Sequence, residues 1–349
     1  MRPNSVKLKN FDNYLPPSVS NTSRKVISHP EINGWQEAYK GNSEKKVAIL
    51  LATYQGQKYL AEQLASFAAQ THQNWELWVS DDGSTDETLK VLETFSLKIT
   101  SCHPNISLGP KRGFAANFLS LTCDFRISAD YYAYSDQDDI WDKDKLERAV
   151  QWLESVSENV PAMYCCRSRL VDENNNEIGC SALFSRQPSF SNALVQTIGG
   201  ANTIVFNEAA RNLIRKIGCD HQIVSHDWWI YLLVTGVGGR VFYDSTPRIR
   251  YRQHKHNLVG ANTTVIGKLK RIRMLFRGDF ARNNEINLHA LLNLQAMLTP
   301  ENQKILNYFK ASRKSSLVNR LMMLKKNGVY RQTILGNIGL LFAAVFRKI

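Results

Sequence analysis

The stretch YSDQDDIW, residues 134–141, places three carboxylates in four consecutive positions, Asp136, Asp138 and Asp139, directly after the apolar-aromatic run DYYAY. Like charges this close raise one another's pKa and resist burial. A divalent cation removes the difficulty. Mg²⁺ and Mn²⁺ take oxygen ligands, commonly one or two carboxylates completed by substrate phosphates. The chemistry expected of the cluster is therefore metal-assisted binding of a phosphate-bearing substrate. The plainer reading, a solvated patch or a set of helix caps, accounts for Asp142 ahead of a helix starting at Lys143, but helix capping uses only one residue. A second acidic pair, Asp81–Asp82 in DDGST, offers acceptors to a base N–H. Ser84 and Glu87 there have capping-box spacing, which does not employ both aspartates. No GxGxxG and no GxxxxGKS/T is present, so neither a dinucleotide fold nor a P-loop is indicated.

The elements around these acids follow from periodicity. KVAILLAT is a continuous apolar run, as in a strand buried on both faces. QKYLAEQLASFAAQ has Leu60, Leu64 and Phe67 at helical spacing. WELWVS reads as a strand, STDETLKVLETF as a helix, LKITSC as a short strand, GFAANFLSL as a helix and YYAYS as a strand. A helix with Leu146, Val150 and Leu153 on one face follows. Such alternation predicts a doubly wound, mostly parallel sheet with helices on both faces. Ligands bind such sheets at the carboxyl ends of the strands. TYQG, DDGST and SDQDD all fall there, so the acids converge on one edge. Further on, AMYCCRSRLVDENNNEIG reads as a hairpin turning at Asn174–Asn176, IGGANTIVFN as a strand and EAARNLIRKIG as a helix. SHDWWIYLLVTG reads as a buried helix, and GRVFYD and RIRYRQH as two strands.

Charge divides the 349-residue chain unevenly. Residues 261–349 hold 16 Lys and Arg against 3 acids, whereas residues 1–260 hold 28 of each sign. A basic tail of this kind suits an anionic surface. Within it, VIGKLKRIRMLF has Val265, Leu269, Ile272 and Phe276 on one helical face. ILGNIGLLFAAVF is apolar but too short to span a bilayer, and suits a buried or interfacial helix. The first forty-odd residues are polar and lack the apolar core of a secretory signal. The six cysteines show no metal spacing and are expected to be reduced in a cytoplasm.

VAILLATYQGQKYLAEQLASFAAQTHQNWELWVSDDGSTDET resembles the opening of glycosyltransferase family 2, of GT-A fold, and SDQDDIW resembles that family's DxD motif. GGANTIVF, SHDWWIYLLVTG and YRQHKHNLVGAN resemble later blocks of its bacterial rhamnosyltransferase-like branch, so the resemblance covers about residues 46–262. The resemblance implies that Thr53, Tyr54, Asp81 and Asp82 bind the nucleoside of a sugar nucleotide, with Asn117 a further candidate. Asp136 would touch the ribose or sugar. Asp138 would coordinate Mg²⁺ or Mn²⁺ bridging the diphosphate, with Asp139 as helper and His254 on the metal or the diphosphate. Asp227 would be the catalytic base; its plainer reading is a helix N-cap. Two departures stand out: Lys255 and His256 where the family has a small residue and Asn, and a long GPKRGFAANF loop in which either Lys111 or Arg112 could meet phosphate.

The expectation is an inverting, metal-dependent transferase. It adds one deoxyhexose, such as rhamnose, to a saccharide or lipid-linked acceptor in surface polysaccharide synthesis. It works in the cytoplasm, peripherally at the inner face of the membrane. Residues 1–45 would be a partly disordered extension, 46–262 the catalytic domain and 263–349 a basic helical region. A sugar nucleotidyltransferase lacks its Gly-rich, Arg-containing loop here. A non-catalytic carbohydrate- or nucleotide-binding module would not need the DQDD and HD acids. Nucleic-acid binding fits poorly with the neutral body and the apolar faces of the tail.

Overall fold

The computed structural model describes residues 44–98, 103–219, 221–254 and 277–349. The first strand, β1 (Val47–Thr53), is buried at every position but Ala52. Its side chains alternate between two layers. Val47, Ile49 and Leu51 enter one core with Leu60, Leu64 and Phe67 of α1 (Leu60–Ala68), while Ala48 and Leu50 enter the other. Each fully buried Leu or Ile contributes roughly 1.5–3 kcal/mol, so this strand anchors both faces.

After β2 (Trp75–Asp81) comes α2 (Thr88–Lys98), which begins four residues beyond Ser84. The capping box anticipated there does not form. The Ser84 hydroxyl donates instead to Asp81, and the carboxylate of Asp86 accepts the Thr88 N–H. The strand expected in LKITSC is also displaced. Leu97 and Lys98 finish α2, residues 99–102 lie outside the described residues, and β3 is Asn105–Leu108. Next come α3 (Phe114–Cys123), β4 (Tyr131–Ser135), the short β5 (Ile140–Trp141) and α4 (Lys145–Glu154). Asp142 does not cap α4. Its carboxylate pairs with Arg169 at 3.0 Å.

The hairpin is β6 (Ala162–Val171) with β7 (Glu177–Cys180); then come the single turn α5 (Phe190–Ala193), a 3₁₀ turn at Ala201–Thr203, β8 (Val205–Asn207), α6 (Glu208–Ile217) and α7 (His226–Gly236). The two strands expected near residue 245 are one, β9 (Arg240–Arg252), which absorbs Pro247 where its register with β6 shifts. The sheet order is β3-β2-β1-β4-β8-β6-β9-β5, with β7 beside β6. The first four strands in this order, β3, β2, β1 and β4, pair in parallel. β8 is antiparallel to both β4 and β6, and β9 is parallel to β6. The architecture is thus α/β with a mixed sheet.

Four helices close the chain: α8 (Asp279–Leu292), α9 (Pro300–Lys314), α10 (Leu317–Lys326) and α11 (Ile334–Val345). Leu288, Leu291, Leu306, Phe309, Leu324 and Leu340 join the same core as α3 and α7. The Ser191 hydroxyl donates to Asn327 O at 2.7 Å and Asn192 Nδ2 to Tyr330 O at 3.0 Å. These helices are therefore built onto the catalytic body. The expected helix at residues 265–276 lies outside the described residues. Cys123 and Cys219 do not stay reduced thiols. Packing of α3 on α6 brings their Cα atoms to 6.3 Å and they form a disulfide. Cys165 and Cys166 remain free and buried.

Candidate active site

The loops after β1, β2 and β4 meet at one sheet edge. Thr53 Oγ1 donates to Asp81 Oδ2 at 2.8 Å, and Ser84 Oγ donates to the same oxygen at 2.6 Å. The N–H groups of Gly83 and Ser84 donate to Asp81 Oδ1 at 3.1 and 2.7 Å. Thr53 and Asp81 are 1% and 2% exposed, so they form the floor of the site rather than its contact surface. Asp82 is more open. It accepts the Lys111 N–H at 2.6 Å and the Gly113 N–H at 3.3 Å, which folds the 109–113 loop over the site. At Gly109 a Cβ would lie 2.7 Å from Asp82 Oδ1 and 2.8 Å from Asn117 Oδ1, so a larger residue would push both side chains aside. Asn117 is buried, with Nδ2 donating to Ser80 O at 3.0 Å and Oδ1 left without a partner. Tyr54, next to Thr53 in the chain, is 57% exposed.

Gln137, between the acids, carries no spacing signal of its own in the sequence. Its Oε1 accepts the Tyr54 N–H and its Nε2 donates to Tyr54 O, both at 2.9 Å. The first and third loops are thereby tied together.

The three acids of the DQDD stretch have different surroundings. Asp139 is fully buried and accepts from Asn202 Nδ2 and, at 3.1 Å, from the Arg252 N–H. It faces into the protein and supports the loop. Asp138 is partly exposed, and its Oδ2 lies 2.8 Å from His254 Nε2. Asp136 carries a carboxyl pushed up to about 8, first by burial, then by Asp138 and Asp227. Arg252, 1% exposed, grips the loop from below. Its Nε donates to Asp138 O at 3.1 Å, and its two terminal nitrogens donate to Glu173 O at 2.9 Å and Glu62 Oε2 at 2.6 Å. The guanidinium also lies 4.5 Å from the Tyr59 ring centroid. Arg252 and Asn202 could not be singled out from sequence spacing, since their partners are far away along the chain.

Asp227 enters from the first turn of α7. Burial holds its carboxyl above the usual range, opposed by hydrogen bonds from Ser225, local N–H groups and Thr197, whose Oγ1 is 3.4 Å away. Its field reaches Asp136. His226 points the other way. It stacks on Phe118 at 3.8 Å between ring centroids and meets Tyr134 edge-on, and burial lowers its pKa to about 3, which keeps it neutral. Among the described residues no three His, Cys, Asp or Glu side chains close into a metal cage. Asp138 with His254 is the strongest donor pair at this edge, and an oxygen-seeking cation completed by substrate phosphates needs no more from the protein.

The sheet edge thus carries a buried acceptor floor and the DQDD loop, with Asp227 close enough to act on Asp136. The sequence profile of Glycosyl transferase family 2 matches residues 48–211. The dTDP-rhamnosyl transferase RfbG of Shigella flexneri is 31% identical over 233 residues, spanning 64% of this chain and 78% of that protein. The chain belongs to glycosyltransferase family 2, and it is a glycosyltransferase. The UDP-Glc:alpha-D-GlcNAc-diphosphoundecaprenol beta-1,3-glucosyltransferase WfgD of Escherichia coli is 29% identical over 168 residues, spanning 48% of this chain and 62% of that protein. A looser likeness, too loose to carry an argument, is to the mannosyltransferase PcManGT of Pyrobaculum calidifontis. It is 16% identical, has a TM-score of 0.48, and covers 88% of this chain and 86% of that one.

Proposed function

We propose that this enzyme transfers one deoxyhexose, with rhamnose as first candidate, from a nucleoside diphosphate sugar to a saccharide or lipid-linked acceptor during surface polysaccharide synthesis, with inversion and with Mg²⁺ or Mn²⁺. The observation that carries this reading is the convergence of the loops after β1, β2 and β4, where Thr53 meets Asp81, Gln137 meets Tyr54 and Asp138 meets His254, with Asp227 near Asp136. Tyr54 and Asp82 face the nucleoside. Thr53, Asp81 and Asn117 shape the floor beneath it, and Asp136 meets the ribose or sugar. Asp138 and His254 would hold the cation, and Asp139 with Arg252 fixes their loop. Once bound, the cation supplies the charge neutralisation that makes the diphosphate a leaving group.

Asp227 takes the proton of the acceptor hydroxyl. The hydroxyl oxygen bonds to the anomeric carbon as the bond to the diphosphate breaks on the opposite face. A carboxyl held above its usual range suits this task, because a general base works best with a pKa near the working pH. The rhamnosyl assignment leans on the relative named above. We place the reaction at a membrane surface, where the basic C-terminal region would hold the enzyme peripherally; the Cys123–Cys219 disulfide departs from the thiols that a reducing cytoplasm maintains. No helix among the described residues is long and apolar enough to cross a membrane. The test is a screen of sugar nucleotides, dTDP-rhamnose first, for cation-dependent hydrolysis and transfer. Wild type, Asp138→Ala and Asp227→Asn would be compared. If no sugar nucleotide is turned over with either cation, or if both variants keep wild-type turnover, the reading fails.

A further inference from the structure

Helix α11 is apolar on two sides. Leu340, Ala343 and Ala344 face the core. On the other side Ile334, Leu335, Ile338, Leu341, Phe342, Val345 and Phe346 are all 40% exposed or more. Their spacing traces one continuous helical stripe. Exposed patches of this kind mark interaction sites. The helix is fastened from below: Arg320, 1% exposed, donates to Ala344 O at 2.6 Å and to Ser315 O at 2.6 Å. The stripe is therefore presented by a fixed helix. Beside it, α10 turns Leu317, Val318 and Met322 outward.

Charge selects the occupant. From residue 302 onward the chain has ten Lys and Arg and no Asp or Glu. Lys325 and Lys326, at the end of α10, and Arg347, just past α11, are exposed. A protein partner would require an equally acidic and apolar surface. A bilayer with anionic headgroups supplies both properties at once. At 12 residues, α11 is about 18 Å long, too short to cross a hydrocarbon core of about 30 Å, but suited to lie in the interface plane.

We infer that the outward stripe of α11 lies in the headgroup–acyl boundary of an anionic bilayer, with Lys325, Lys326 and Arg347 on the headgroups. This deepens the proposed function and rests on its placing of the reaction at the membrane. It names the surface that docks.

The test uses the full-length protein and vesicles of phosphatidylcholine with or without phosphatidylglycerol. Wild type should co-sediment with anionic vesicles at low salt and release at high salt. Ile338→Asp with Phe342→Asp should reduce the bound fraction about tenfold or more, as should Lys325→Glu with Lys326→Glu. All four positions are exposed, so the urea midpoints should remain near wild type. As a direct readout, the Phe342→Trp variant should show a blue-shifted tryptophan component absent from wild type, quenched by lipids brominated on their acyl chains. Absent quenching, or retained binding by both double variants, overturns the inference. So does a vesicle-indifferent dimer that Ile338→Asp with Phe342→Asp dissociates, which would make the occupant a second copy. Sugar-nucleotide turnover measured without vesicles separates the two ideas. Binding without any turnover sinks the proposed function and leaves the docking surface standing.

Discussion

Removing the Arg252 side chain should be among the most damaging single changes outside the catalytic acids. Arg252→Ala strips Glu62 of its ion pair, leaves the carbonyls of Asp138 and Glu173 without their donor, and opens a void beside Tyr59. Breaking a buried ion pair by removing one partner costs about 3–5 kcal/mol. Glu62 is 24% exposed, so water recovers part of its solvation, and the lower end, about 3 kcal/mol, is expected. Lysine keeps the charge but offers one ammonium where the guanidinium spans three acceptors. Arg252→Lys should therefore fold with a smaller loss, yet still bind donor and cation more weakly, because the Asp138 backbone is no longer pinned. Urea unfolding of Arg252→Ala, Glu62→Gln and the double variant closes a cycle with a coupling of about 1–3 kcal/mol. If Arg252→Ala unfolds within about 0.5 kcal/mol of wild type, as an ordinary surface change would, the clamp described here is not a clamp.

Asp227→Asn should lower kcat by about 10²–10⁴ with little change in donor affinity, read by steady-state kinetics and calorimetry. Since burial raises the Asp227 carboxyl, kcat/KM of the wild type should climb with pH through a value above the ordinary carboxylate pKa of about 4, and the residual rate of the variant should lack that limb. The same shift stabilises the fold at low pH and is lost as pH rises through the raised value. The variant should thus gain stability on wild type at neutral pH and converge with it near pH 3. Asp138→Ala should abolish the Mn²⁺ dependence of donor binding in a titration while leaving the unfolding midpoint near wild type. Reducing the Cys123–Cys219 bond, which closes a separation of 96 residues, should lower stability by up to about 4–5 kcal/mol; identical denaturation curves with and without dithiothreitol would contradict that.

The strands and the acids were legible because they depend on local pattern. Val47–Thr53 is apolar at every position but its last, so a strand buried on both faces was readable, and the acids at strand ends had to share an edge. What misled was competition between local and tertiary partners. Ser84 has the spacing of a cap, but Asp81 takes its hydroxyl first. Asp142 precedes a helix, but Arg169 arrives from β6 and takes its carboxylate. Pro247 looks like a break between strands and is a register shift inside one. Asp139 looked like its neighbours and turned inward, because Asn202 and Arg252 reach it from distant segments. No periodicity encodes such meetings. Compartment says nothing of the packing that brings α3 and α6, and with them Cys123 and Cys219, together.

The side-chain amide of Gln137 meets both main-chain groups of Tyr54, as a neighbouring strand would. Its position in the chain, one residue from Asp136 and one from Asp138, gives that contact thermodynamic meaning. The loop proposed to meet the nucleoside and the loop proposed to meet the cation share one crossbar. Whatever stills one loop lowers the entropy still to be lost by the other, so the second ligand should bind to a partly ordered partner. Linkage makes this reciprocal: by whatever factor the cation tightens the nucleotide, the nucleotide must tighten the cation. Gln137→Ala would leave both sets of contacting side chains in place and should shrink that shared factor toward one. The crossbar would then favour two states over the intermediate ones, with an empty enzyme holding neither ligand well and a half-filled one, whichever ligand came first, poised for the other.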